Sequence, residues 1–202
     1  APDGSEVRIS MPKWGRTAEA LAFARSRADW LARQLETLPQ TSDIGPGGQL
    51  PFRGEMLLVR HEAATARRVS IMEGELRLGG PAESLAPRLR RWLEREARHL
   101  LAEDLAHYCA LAGKAPPRLS LSNARRRWGS CAADGTIRIN WRLIMAPDAV
   151  RRSVVAHEVA HLVHFDHSRE FHALLARLFE GDVAEANRWL KAEGRSLYAW
   201  FG

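Results

Sequence analysis

A chain of 202 residues is long enough for one packed domain, or for a small domain resting on a larger one, but not for two large independent domains. Hydrophobic residues make up 46% of it and charged residues 27%, a balance that is typical of soluble globular proteins and too apolar for a disordered one. No apolar run approaches the roughly 20 residues of a membrane helix, and the start of the chain lacks the pattern of an export signal. We therefore expect a soluble cytoplasmic protein without a membrane partner.

The formal net charge of the chain is +6. Such a surface attracts polyanions, so nucleic acid is a candidate partner through the basic surface. An ordinary solvated surface explains the same charge equally well. Cys109 and Cys131 are the only cysteines, too few for a disulfide scaffold and compatible with a reducing cytoplasm.

The N-terminal part of the chain combines a strand pattern, a helical pattern and a small sheet. Residues 6–11 alternate apolar and polar side chains, which predicts a short strand. Over residues 17–38 apolar side chains recur at helical spacing, with Thr17 as a candidate N-cap. Residues 40–54 are rich in Pro, Gly, Ser and Thr and predict an exposed loop, while short stretches within residues 55–78 predict a small antiparallel sheet.

Two glycines and a proline at residues 79–81 break the pattern. We take this break as the boundary between a smaller N-terminal part, residues 1–80, and a catalytic domain, residues 81–202. The helical pattern that follows the break runs to about Leu111.

Two further strands are expected over residues 118–122 and 135–141. Pro147 then opens a helix at its first turn, and valines and a leucine at helical spacing over residues 150–162 give that helix an apolar face. The whole pattern predicts an α+β fold in which a small sheet packs on this helix.

That helix carries the motif HEVAH at residues 157–161. Residues four apart lie on one helix face, so the imidazoles of His157 and His161 can converge on a single ion. Glu158 is rotated by about 100° from His157, where it can accept a proton from a water that the ion has acidified. A chance match is the alternative, but these polar groups are costly in an apolar setting unless a partner satisfies them. We therefore predict Zn²⁺ as the cofactor and Glu158 as the catalytic base.

A catalytic zinc usually has three protein ligands and one open position. His164 lies about 10 Å along the helix axis from His157, so a straight helix cannot bring it to the same ion. His167 can reach the ion if the helix ends and the chain turns back, as a bend at residues 165–166 and a new helix capped by Ser168 would allow. We expect His167 to be the third ligand.

A carboxylate from the next helix is the alternative third ligand, and Glu170, Glu180 and Glu185 are the candidates. The spacing from the second to the third histidine equals that of metzincins, but His164 stands where metzincins have glycine, and no methionine follows the motif. The chain is therefore not a standard metzincin.

Several ordered segments resemble the YgjP-like metallopeptidase family, a zincin family related in pattern to the WLM and SprT metalloproteases. They are RWGSC at residues 127–131, IRINWRL at 137–143, Ala146-Pro147, HEVAHL at 157–162 and DHSREF at 166–171. The likeness spans about residues 118–190, and the segments RADWLARQLE and PFRGE are similar to the first half of the family. It implies a zincin-like catalytic domain, three histidine ligands and a peptidase that acts on polypeptide.

Two positions depart from the family pattern. Asp166 stands where asparagine is usual, and His172 stands where tryptophan is usual. Neither change removes a ligand. Asp166 is expected either to hold an imidazole N–H or to cap the helix. His172, Tyr198 and the arginines near Trp128 are the open candidates for stabilising the transition state.

The segment before residue 131 has competing interpretations. It forms either a rim that binds an extended substrate by strand addition or a tight glycine turn with Trp128 packed in the core. Arginines 125–127 beside Trp128 are typical of single-strand binding, although such runs are more often solvated. Cys131 is a weaker candidate for a zinc ligand or an inhibitory thiol. Asn140 either orients a substrate backbone or satisfies a strand end.

The sequence as a whole predicts a zinc metallopeptidase of the HExxH type. One alternative is a protease that acts on DNA-bound proteins, suggested by the charge and by the likeness to WLM and SprT. The other alternative is a zinc-binding scaffold without turnover. Glu158 argues against the scaffold, because a purely structural site needs no base.

Overall fold

The structure of the chain, a computed structural model, describes residues 9–36 and 44–201, with only the backbone at residues 34–36. The strand predicted over residues 6–11 lies partly outside this range, and its described residues form no strand. The first residues of the loop predicted over 40–54 also lie outside the description.

Two helices stand where the sequence predicts one: α1 (Thr17–Ser26) and α2 (Ala28–Glu36). The break falls at Arg27, whose N–H donates to the carbonyl of Ala24. This i→i+3 bond tightens the last turn and ends α1. No α1 residue is buried, so the apolar side chains of that helix lie outside the core.

The N-terminal sheet has four strands in the order β1-β2-β4-β3. They are β1 (Gln49–Phe52), β2 (Glu55–His61), β3 (Ser70–Met72) and β4 (Glu75–Leu78). The turns β1–β2 and β3–β4 each consist of two residues with positive φ, Arg53-Gly54 and Glu73-Gly74, which matches the twist of a tight hairpin.

This sheet corrects two predictions. Residues 49–52 form β1 instead of a loop, and Leu50 is fully buried. Pro51 is tolerated there because β1 is an edge strand, where a missing N–H does not interrupt the sheet. Strands β2 and β4 pair in parallel, so the sheet is mixed and not antiparallel throughout.

Helix α3 (Leu85–Leu111) confirms the long helical pattern after residue 81. Its buried side chains recur at helical spacing and form an apolar stripe through the middle of the molecule. Phe52 of the N-terminal sheet packs on Trp92 of α3, with ring centroids 4.8 Å apart.

A second sheet has three strands in the order β5-β7-β6. They are β5 (Leu119–Ser122), β6 (Gly129–Cys131) and β7 (Ile137–Asn140). The predicted strands β5 and β7 pair in parallel. Strand β6, which the sequence leaves as a loop or rim, pairs antiparallel with β7 and forms one edge of the sheet.

Three helices complete the fold: α4 (Asp148–Ala160), α5 (Arg169–Leu178) and α6 (Val183–Glu193). Pro147 is the N-cap of α4, one position before the predicted one. Ser168 caps α5 as predicted, because its hydroxyl accepts from the N–H of Phe171. Short 3₁₀ helices lie at Ala82–Ser84, Trp141–Ile144 and Gly194–Ala199.

Buried apolar side chains from both sheets and from helices α3 to α6 form one cluster. Strand β6 packs against α4, the helix that carries HEVAH. This α+β arrangement of small sheets and helices confirms the predicted zincin-like fold class.

The division of the chain into two parts at residue 80 stays a prediction. Among the described residues, no helix is both long and apolar enough to cross a bilayer.

Candidate metal centre

The turn after α4 determines where the histidines meet. The helix ends at Ala160, with His161 as its C-cap, four or five residues before the predicted bend. Two i→i+3 bonds, from Leu162 to Val159 and from Val163 to Ala160, close the turn. The chain reverses early, and His167 lies just before α5.

The imidazoles of His157, His161 and His167 come together at this turn. Each offers a ring nitrogen, and these nitrogens lie within 4.8 Å of one another. Nε2 of His157 and Nε2 of His167 are 3.3 Å apart. The fully buried ring of Phe171 packs against all three imidazoles, with centroids 4.6 to 5.0 Å away. The triad therefore lies on a rigid apolar platform.

The tautomer of His161 follows from its hydrogen bond. Nδ1 of His161 lies 3.0 Å from the carbonyl oxygen of His164. A carbonyl oxygen only accepts, so Nδ1 carries the proton and Nε2 keeps its lone pair. Such a bond to the far ring nitrogen is typical of metal-binding histidines.

His157 is held in its neutral form. Burial, helped by the neighbouring His161, His167 and His172, lowers the pKa of His157 to about 4. A metal ion binds the neutral imidazole. Neutral imidazole donors that converge without a bridging carboxylate fit a borderline-soft cation such as zinc.

Glu158 faces strand β6 and is only 5% exposed. Its carboxylate accepts a hydrogen bond from the backbone N–H of Cys131. A Cβ on Gly129 would lie 2.7 Å from Cγ of Glu158 and 2.8 Å from Cδ, so only glycine leaves room for this side chain. Burial raises the pKa of Glu158 to about 7, against the opposing effect of Arg127. A carboxyl group with this pKa exchanges protons readily near neutral pH.

The alternative zinc ligands, the carboxylates of the following helices and Cys131, do not join the three histidines. Among the described residues, the three histidines form the single group of His, Cys, Asp and Glu side chains close enough to share an ion. Glu180 instead accepts from the hydroxyl of Tyr108 (2.9 Å) and pairs with Arg152 (2.8 Å). Cys131 does not join the group, and burial, with Glu158 and Asp134 nearby, raises the pKa of its thiol. A thiol in that state is a poor ligand and nucleophile.

The structure distinguishes between the alternative roles predicted for Asp166, Trp128 and Asn140. Asp166 accepts from the N–H of Ser168 (3.3 Å), so it caps the turn. Trp128 packs on Tyr198 with ring centroids 5.5 Å apart, and the arginines at 125–127 are exposed. The buried Asn140 accepts from the N–H of Arg142, which satisfies the strand end.

The hydroxyl of Tyr198 forms hydrogen bonds within the protein and is not free to contact a substrate. Its hydroxyl donates to the carbonyl of Ala124 (2.8 Å) and accepts from Nδ2 of Asn140 (3.0 Å). This leaves two exposed side chains at the site as candidates for transition-state stabilisation. They are His172, whose ring centroid lies 6.4 Å from that of His167, and Arg127, which acts electrostatically on Glu158.

Sequence reasoning missed the supports of the site. The contact of Gly129 with Glu158, the carbonyl of His164 and the ring of Phe171 all come from segments outside the motif. Gly129 is the one signal in the sequence: it stands in a segment predicted to be a turn or a substrate-binding rim, and a glycine often marks the close approach of another group.

One of three comparisons with known proteins identifies a family for the chain. The family model described as YgjP-like, metallopeptidase domain, matches residues 1–193. The comparison with curated proteins returned no match, and neither did the comparison with solved structures. Since the family model covers nearly the whole chain, the chain belongs to the YgjP-like metallopeptidase domain family.

Proposed function

We propose that this metallopeptidase depends on zinc, with His157, His161 and His167 as ligands and Glu158 as the general base. The observation that carries the proposal is the convergence of three imidazole nitrogens within 4.8 Å of one another, beside a buried carboxylate. The donor set favours zinc, because three nitrogen ligands leave one position open for chemistry.

In this proposal the bound ion and Glu158 have different chemical roles. When bound, zinc supplies a Lewis acid that acidifies water and polarises a carbonyl. The Glu158 carboxylate takes a proton from the water that attacks the peptide carbonyl carbon, and then delivers it to the nitrogen of the leaving amine. Burial of the Glu158 side chain raises its pKa and so favours uptake of this proton. Gly129 and the N–H of Cys131 hold the carboxylate in one position.

The decisive experiment replaces Glu158→Gln in the full chain. We expect the variant to keep its zinc, measured by mass spectrometry of the metal, and to lose hydrolysis of a quenched fluorescent peptide mixture by about 10²- to 10⁴-fold. His167→Ala should lose the zinc. His164→Ala is the matched control and should keep it, because the backbone carbonyl that binds His161 remains.

Two results would contradict this proposal. Undiminished hydrolysis in Glu158→Gln would show that another group is the base. A wild-type chain that binds zinc and cleaves no polypeptide would instead support the scaffold without turnover.

The nucleic-acid-associated protease and the cytoplasmic location stay predictions. Arginines 125–127 are exposed, but Trp128 packs on Tyr198, so the ring expected to stack on a base is occupied. Loss of DNA binding with rising salt is the property that would support the alternative.

A further inference from the structure

A groove between α3 and the end of β5 is lined by arginines. One face of α3 contributes four of them, and the opposite wall comes from the end of β5 and the residues after it. The groove has a volume of about 500 Å³, and its lining includes one acidic residue, Glu94. The arginines are Arg90, Arg91, Arg95 and Arg98.

The positive charge of the groove is largely uncompensated. Within the described part of the chain, Arg91 and Arg98 form no salt bridge. Arg90 pairs with Glu94 (2.9 Å) and Arg95 with Glu96 (3.2 Å). These pairs are partly exposed, and exposed ion pairs are weak. An incoming anion can therefore bind all four guanidinium groups.

A further charge lies under the groove. Arg142 is 1% exposed, its guanidinium lies between the rings of Trp141 and Tyr198 (4.6 and 4.8 Å), and it donates to Oδ1 of Asn123. Burial lowers the pKa of Arg142 to about 10, and the nearby Arg90 adds to this effect. Arg142 is still charged at neutral pH, and both its guanidinium and that of Arg90 lie over the Trp141 ring, 4.6 and 5.7 Å from the centroid, so the two positive charges repel each other. A bound anion would relieve this repulsion.

The groove is connected to the candidate metal centre by a short basic segment. Asn123 lines the groove, and Gly129 contacts Glu158. Six residues of extended chain span at most about 22 Å, which limits the distance between the two. The exposed arginines at 125–127 lie between them.

We propose that the groove binds an acidic segment of the polypeptide substrate, no more than about six or seven extended residues away from the bond that is cleaved. This inference rests on the proposed function. Guanidinium groups bind carboxylates through paired hydrogen bonds. Arg91 and Arg98 are seven residues apart on α3, about 10 Å along the axis, which matches three residues of an extended peptide.

Polypeptide fits the groove better than nucleic acid. Proteins that hold single strands offer aromatic rings for base stacking beside the positive charge. Here Trp141 lines the groove but is only 2% exposed, with Arg90 and Arg142 over its ring, and Trp128 packs on Tyr198. The groove thus offers charge without an accessible stacking surface.

The test measures binding by the full-length Glu158→Gln protein loaded with zinc, using fluorescence anisotropy. The probes are a labelled peptide of eight glutamates and a labelled peptide of eight glutamines. We expect the glutamate peptide to bind, the glutamine peptide not to bind, and Arg91→Glu/Arg98→Glu to weaken binding at least about tenfold through lost charge-assisted hydrogen bonds. Arg177→Glu/Arg195→Glu changes the net charge equally at exposed positions outside the groove and should weaken binding at most about twofold.

Equal weakening by both charge-reversed pairs, or equal binding of both peptides, would overturn the proposal. So would tighter binding of a labelled eight-thymidine DNA strand that the groove pair abolishes. Arg91→Gln/Arg98→Gln serves as a second variant if the charge reversal prevents folding. Because the Glu158→Gln protein need not hydrolyse anything, its binding reports on the groove even if the wild type proves to have no peptidase activity.

Discussion

At the scale of single residues, Glu158 and Gly129 depend on each other. The carboxylate reaches its position only because the facing strand residue has no side chain: an added Cβ would lie 2.7 Å from Cγ of Glu158. The N–H of Cys131, two residues along the same strand, completes the support. The edge of β6 thus fixes the position of the proposed base.

We expect Gly129→Ala to displace the carboxylate while the metal ligands stay in place. A misplacement of about 1 Å in a catalytic group costs on the order of 10²-fold in rate, so peptide hydrolysis should fall by about that factor with the zinc content unchanged. Steady-state kinetics together with metal analysis checks this.

Gly74→Ala is the matched control. Its Cβ would meet no atom within 4 Å, although the positive φ of 75° strains the backbone of a residue with a side chain. Its activity should stay near that of the wild type. A loss of activity as large as in Gly129→Ala would contradict the steric explanation.

Residue spacing predicts the central residues of the site but not their supports. His157, Glu158 and His161 share one helix, so their relative positions follow from helix geometry. His167 reaches the other two histidines only if the chain reverses direction after α4. Ser168, as the N-cap of a new helix, predicts this reversal. Gly129 and Tyr198 act through contacts between distant segments, and no local pattern encodes such contacts.

At the scale of elements, a buried ion pair joins α3 to the motif helix α4. Nε of Arg151 donates to Oδ2 of Asp104 at 2.8 Å, and both side chains are at most 10% exposed. Asp148 also binds Arg151. The two helices are therefore held in register behind the histidines by charge as well as by apolar packing.

We expect Asp104→Ala to lower the free energy of unfolding by about 3 kcal/mol, because it removes one partner of a buried pair while Asp148 keeps part of the compensation. Urea titration followed by circular dichroism measures the change. Glu94→Ala breaks the exposed pair with Arg90 on the same helix and should cost less than about 1 kcal/mol. Equal losses in the two variants would show that the buried pair has no special role.

Elements differ in how well the sequence predicts them. Helix α3 has 27 residues with a regular apolar period, and a long periodic pattern outweighs local exceptions. Strands β1 and β6 have four and three residues and contain Pro51 or Gly129, so their composition is typical of a loop. The parallel pairing of β2 with β4 depends on the path of the intervening chain, which strand composition does not specify.

At the scale of the whole molecule, the candidate metal centre lies on one large apolar core. The ring of Phe171 under the three histidines belongs to the same buried cluster as α3 and both sheets. The ion is therefore expected to add stability to a folded protein and not to organise an unfolded one, unlike the small zinc domains that fold only with metal.

Removal of zinc by a chelator should accordingly leave the helical circular dichroism intact and lower the melting temperature. At free zinc near 100 times its Kd, the difference in unfolding free energy should be about 2.7 kcal/mol. Adding zinc back should restore the original melting curve. Loss of the helical signal on chelation would contradict this expectation.

The hydrogen bond from Tyr198 to Ala124 also has a consequence for synthesis on the ribosome. It joins residues 74 positions apart and holds the segment that leads to Gly129 and the base. Chains are made from the N-terminus, so the motif emerges before the tyrosine that secures this segment. We therefore expect the nascent chain to lack peptidase activity until the region of Tyr198 has emerged.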